Sequence, residues 1–134
     1  MKTITNVAIG ILIVLVSGCG KQECVDYQIT NFTENNISLL LYEGDFLNSK
    51  TQIGRGSGNS YTALNVCENG FRLGYSLFDS VEIRVNDLVR KTYYPNTEGK
   101  NIYNVDDPDS WEVVERRSNY TKYVFSVLEE DLDN

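Results

Sequence analysis

The chain has 134 residues, a formal net charge of −7, three cysteines and no histidine. The acidic balance argues against nucleic-acid binding, which needs clustered Lys and Arg to neutralise phosphates. The lack of histidine removes the commonest general base near neutral pH, the Ser-His-Asp and Cys-His arrangements, and the imidazole ligands of zinc.

At the N-terminus, Lys2 precedes the apolar run Val7 to Val16, "VAIGILIVLV". A membrane-spanning helix needs about 20 such residues. The shorter run, followed by the small residues Ser17 and Gly18, predicts a cleaved export signal. The next four residues read as a motif: "VSGC", Val16 to Cys19, resembles the bacterial lipobox. That resemblance implies a diacylglycerol on the Cys19 sulfur, cleavage just before it, and acylation of the new amine. Several acyl chains hold a protein on a bilayer where one holds only marginally. The expected organisation is a signal peptide over residues 1–18, a lipidated tether over 19–24 and one β-rich domain over 25–134.

With Cys19 lipidated, Cys24 and Cys67 remain, an even pair in an oxidising compartment. We expect a Cys24–Cys67 bridge that clamps the start of the first strand onto the third or fourth element. The alternatives at this level are two free thiols or pairing with another chain. Two cysteines without histidine do not make a zinc site, and no metal or cofactor is expected.

Beyond the tether, "VDYQITNF" alternates Val25, Tyr27 and Ile29 with polar residues, the period-two pattern of a half-buried strand. After the break "TENN", "ISLLLYEG" places Ile37, Leu39 and Leu41 on one face and suggests a hairpin with the first strand. "NSKTQIGRGSGNS" reads as an exposed loop with room for a short strand around Gln52. "SYTALNVC" returns to strand character, while "ENGFRLGYSLFDS" mixes turn signals with aromatics and receives no assignment. "VEIRV" and "LVRKTYY" flank Asn86-Asp87, which suits a type I′ turn. "PNTEGKNIYNVDDPDS" is a long polar connection. "WEVVER" and "YTKYVFSVL" flank Arg117-Ser118-Asn119 as a second hairpin, and the acidic tail "EEDLDN" is expected to be solvated. Some seven short strands predict an all-β fold, a small antiparallel sandwich or barrel-like domain.

Several stretches are candidates for chemistry. Asp106, Asp107 and Asp109 crowd into four positions, but proline interrupts them and the glutamate spacing of a calcium loop is missing. They read as a solvated acidic loop. Paired carboxylates alone can run glycoside chemistry, yet a short chain rarely builds the cleft that tunes them, so catalysis is not expected. The nine tyrosines, five phenylalanines and Trp111 suit a carbohydrate platform or simply a pleated core.

"RGSGNSY", Arg55 to Tyr61, is similar to the S-G-S-G-x-x-Y loop of lipoprotein and periplasmic inhibitors of C-type lysozyme. Gly56, Ser57, Gly58 and Tyr61 match, and Arg55 replaces the first serine. The resemblance implies an inhibitor loop carried by Ser57 and Tyr61. The second motif of those inhibitors is missing from "NYTKYV".

"ITNFTENNISLLLYEG", "DSVEIRVNDLVRKTYY" and "NYTKYVFSVLEEDL" together resemble short lipoproteins of Bacteroidetes bacteria. The resemblance implies an envelope lipoprotein without a transferable activity, partnered by the bilayer and by an unidentified protein or carbohydrate. Gly20 in place of an inner-membrane retention aspartate implies the outer membrane, either leaflet. Asp79-Ser80-Val81 fits the O-glycosylation pattern of such organisms, which makes Ser80 a candidate acceptor. The sequons at Asn31, Asn36 and Asn119 carry no weight behind a lipobox.

Overall fold

The computed structural model describes residues 23–56, 60–68 and 75–133. Eight strands form two four-stranded sheets. The strands are β1 (Glu23–Asn31), β2 (Ile37–Glu43), β3 (Phe46–Ile53), β4 (Ser60–Glu68), β5 (Ser80–Val85), β6 (Leu88–Tyr93), β7 (Glu112–Arg117) and β8 (Tyr120–Val127). The first sheet runs β4-β1-β8-β7 and the second β3-β2-β5-β6. This is the expected all-β sandwich. A 3-10 turn spans Tyr75–Leu77 and a one-turn helix, α1, spans Glu129–Leu132.

The alternation seen in the sequence sorts residues between core and surface. Val25, Tyr27 and Ile29 of β1 and Tyr123, Phe125 and Val127 of β8 face inward from one sheet, and Leu39, Leu41, Val81 and Ile83 from the other. Aromatic rings fill the space between. Trp111 lies 5.6 Å from Tyr27, 5.8 Å from Tyr75 and 5.3 Å from Phe125, ring centre to ring centre. Such pairs add to simple burial because ring edges and faces carry opposite partial charge.

Three expectations change. β1 and β2 do not form a hairpin: β1 pairs with β4 and, in parallel, with β8, whereas β2 pairs with β3 and β5. The chain crosses between sheets at residues 32–36, and Asn31 makes the crossing possible. Its buried side chain donates from Nδ2 to the carbonyls of Asn35, Ile53 and Gly54, and its Oδ1 accepts from the Thr33 amide and hydroxyl. Second, the stretch read as a loop with a short strand around Gln52 opens with a full strand, and the backbone leaves it at Gly54. β3 spans Phe46–Ile53 because its backbone pairs with β2 along its length, although its side chains are mainly polar and exposed. Third, the acidic tail is docked. Leu132 is 2% exposed, and Lys100 Nζ binds both the Ser126 carbonyl at 2.6 Å and the Asp131 carboxylate.

The Asn86-Asp87 hairpin forms as expected, with φ of 51° and 63° at its two turn residues, the left-handed pair that a type I′ turn demands. β7 and β8 also pair as an antiparallel hairpin.

Candidate functional site

Sheet pairing brings Cys24 and Cys67 directly opposite one another on β1 and β4. Opposed residues of an antiparallel pair have Cα atoms about 4.5–5.5 Å apart, inside the range a disulfide spans. On its other side Cys24 is level with Tyr120 of β8, and its amide donates to the Asn119 carbonyl at 2.8 Å. The start of β1 is therefore held by a strand on each flank. Beside it, the β7–β8 turn closes a polar hollow of about 230 Å³ lined by Glu23, Cys24, Arg116, Arg117 and Asn119.

The polar side chains here are engaged with each other. Tyr120 donates its hydroxyl to Asp26 at 2.6 Å, while the Arg117 guanidinium lies 5.0 Å from the Tyr120 ring centre and 2.6 Å from Glu115. The hydrogen bond to Asp26, with burial and the negative charges of Asp26 and Glu115, pushes the Tyr120 phenol up to about 12. A neutral phenol held as a donor is a structural group, not a proton shuttle at neutral pH.

The opposite end of β1 carries the β3–β4 connection. Asn31 holds the carbonyls of Ile53 and Gly54, and the Arg55 amide donates to Asn36 Oδ1 at 2.9 Å. Tyr61 stands in β4, in register with Ile29. Ser57 lies outside the described residues, as does Cys19.

Ser80 is the half-buried first residue of β5, in register with Tyr42. Asp79 prepares that strand start. Its amide donates to the Tyr42 carbonyl at 2.8 Å, and its carboxylate accepts from the Gly44 amide.

The acidic loop is a built turn. Asp107 accepts from the Asp109 amide and from the Ser110 hydroxyl, and its carbonyl receives the Trp111 amide at 2.9 Å. Asp107 thus aims Trp111 into the core, where the indole donates to the Ile102 carbonyl at 3.0 Å. Among the described residues no three acidic or cysteine side chains converge as metal ligands.

One cluster escaped the sequence reading. On the outward face of the second sheet, Glu82 Oε2 lies 2.7 Å from Arg84 Nη2, and the Tyr42 hydroxyl is 3.3 Å from that carboxylate and 3.2 Å from that guanidinium. Glu82 and Arg84 are two apart on one strand, a visible signal, but Tyr42 comes from another strand some forty residues earlier. Only sheet pairing joins them.

Comparison with known proteins adds nothing to this geometry. No protein-family model matches the chain, no curated protein matches it, and no solved structure matches it.

Proposed function

We propose that the chain is an envelope-anchored bacterial lipoprotein, acylated at Cys19 and held in the outer membrane, whose β-sandwich acts as a binding or structural module and not as a catalyst. The observation that carries this reading is the position of the first strand. Glu23 and Cys24 are already paired with Glu68 and Cys67, four and five positions after the lipobox cysteine in the sequence. A Cys24–Cys67 bridge belongs to the same reading. The direct opposition of the two residues across β1 and β4 supports it. A bridge at the first turn of pairing resists the pull of a lipid tether where it enters the domain. The missing histidine and the self-satisfied polar groups around the tether support binding over catalysis.

Growth with labelled palmitate tests the anchor. The wild-type protein incorporates label and the Cys19→Ala variant does not. An unlabelled wild-type protein that keeps its initiating methionine refutes the reading.

A second reading, an inhibitor or immunity-type lipoprotein against a cell-wall hydrolase such as lysozyme, gains from one feature. Ser60 pairs with Thr30 near the end of β1, so β4 starts at the end of the first sheet opposite to the start of β1. A soluble hydrolase would meet that end first. Inhibition of C-type lysozyme that disappears in a Ser57→Ala, Tyr61→Ala double variant supports this reading, and no inhibition by the parent removes it.

A further inference from the structure

The outward face of the second sheet carries a row of side chains that the strand register defines. Leu47 of β3 stands opposite Tyr42 of β2, and Tyr42 stands opposite Ser80 of β5. One residue beyond the Val81–Tyr93 pair, Tyr94 comes level with Ser80. Tyr93 is 3% exposed and Tyr94 is 56% exposed. Pro95 keeps the preceding residue extended, so the two neighbouring rings point to opposite faces. Asn101 Nδ2 holds the Tyr94 carbonyl at 2.9 Å, which fixes the backbone at this point.

Tyr42 and Tyr94 are thus separated by one intervening strand, about 9.6 Å at two strand spacings. The Tyr42 ring is immobilised by the Glu82–Arg84 pair that its hydroxyl reaches. Those partners stand further along the same face, so the ring lies along the sheet. Leu40 shares this outward face, yet is only 2% exposed. The face offers two aromatic rings, Leu47 at 42% exposure, and the hydroxyls of Ser80 and Thr92 between and above them.

Its charges cancel locally. Arg84 pairs with Glu82 at 2.7 Å, and Lys50 pairs with Asp87 at 3.3 Å. In a chain of net charge −7, this face complements an uncharged ligand. An anionic polymer meets the overall field, and a cation finds Glu82 already engaged. A stable protein interface wants a broader continuous apolar core than one row of side chains provides.

We propose that this face is a saccharide platform. A neutral oligosaccharide lies across the four strands with the apolar faces of two sugar rings on Tyr42 and Tyr94. Its hydroxyls bond to Ser80, Thr92 and the Glu82–Arg84 pair. The proposal deepens the binding-module reading and does not depend on acylation.

Isothermal titration of the isolated full-length protein in detergent tests it, with chitohexaose, cellohexaose and maltohexaose as probes and a galacturonic acid hexamer as the charged control. Mass analysis of the same sample reports acylation, so acylated protein that binds no sugar sinks the platform alone, and unacylated protein that binds sinks the anchor alone. We expect at least one neutral hexamer to bind and Tyr94→Ala to weaken it about ten-fold, the loss of one stacking contact. Tyr94 is exposed, so its replacement leaves the core intact. Tyr42→Ala weakens binding similarly, and Phe46→Ala, exposed but off the row, leaves it unchanged. Three results overturn the proposal: no neutral hexamer binds, the charged hexamer binds equally well, or Tyr94→Ala binds like wild type. A concentration-dependent dimer abolished by Tyr94→Ala assigns the face to a second copy of the chain and also overturns it.

Discussion

Asn31 and Asn101 are the residues on which the irregular parts of this domain turn. Each is almost fully buried, and each spends its amide and carbonyl on loop backbone. Asn101 donates from Nδ2 to the carbonyls of Tyr94 and Thr97, accepts the Tyr103 amide on Oδ1, and sends its own amide to the Ser110 hydroxyl. A buried backbone carbonyl that loses its donor carries its desolvation cost uncompensated. Asn31→Ala should therefore cost about 3 kcal/mol, read as a lower urea midpoint with an unchanged m-value. Asn31→Asp keeps the oxygen that Thr33 uses, but places a charge among three carbonyls and should be no milder. Equal stability of wild type and Asn31→Ala contradicts the role assigned to this side chain.

At the scale of elements, two fastenings hold the ends of the sandwich. The first is the β1–β4 pair with its opposed cysteines. A bridge between them closes a long loop, and its reduction should remove roughly 4 kcal/mol in the chain-entropy account. Urea melts of wild type with and without reductant measure this, and Cys24→Ser, Cys67→Ser should match the reduced protein. An unchanged midpoint on reduction means that no such bridge is present. The second fastening is α1. Leu132 enters the core, its carbonyl accepts from Arg90 Nε at 3.1 Å, and Asp131 accepts from both Lys100 and the Leu128 amide. One turn of helix has no stability of its own, so packing holds it. Leu132→Ala should cost about 2–3 kcal/mol by leaving a cavity, with hydrogen exchange fastest over the last residues.

At the scale of the whole molecule, the aromatic core couples stability to alkaline pH. Burial pushes the Tyr93 phenol far above its ordinary value, with Asp131 adding to the shift, and burial with the nearby Asp79 charge pushes Tyr103 up to about 12. Tyr120 reaches about 12 through its bond to Asp26. In each case the unfolded phenol ionises near 10 while the folded one keeps its proton. Folding therefore retains protons that the unfolded chain releases. Stability is intact below pH 10 and falls as pH rises from there through about 12. Thermal melts across this range should show that decline, and absorbance titration should show late-ionising tyrosines. Tyr120→Phe should flatten its share of the pH dependence.

The chain's own pattern determined much of this outcome. Period-two alternation in "VDYQITNF", "VEIRV" and "YTKYVFSVL" sorts core from surface without reference to any distant residue, because a pleated strand turns successive side chains to opposite faces. Asn86-Asp87 specifies its own turn, since both residues tolerate positive φ. What only the tertiary structure decided is pairing. Nothing near β1 says that its neighbours are β4 and a parallel β8 and not β2, because backbone hydrogen bonds between strands are blind to sequence separation. For the same reason β3 is a strand despite its polar composition, and the tail is docked because Leu132 finds the core and Lys100 finds Asp131. The row of Leu47, Tyr42, Ser80 and Tyr94 belongs to this second kind. Its members are scattered along the chain, and only the stacking of four strands sets them side by side.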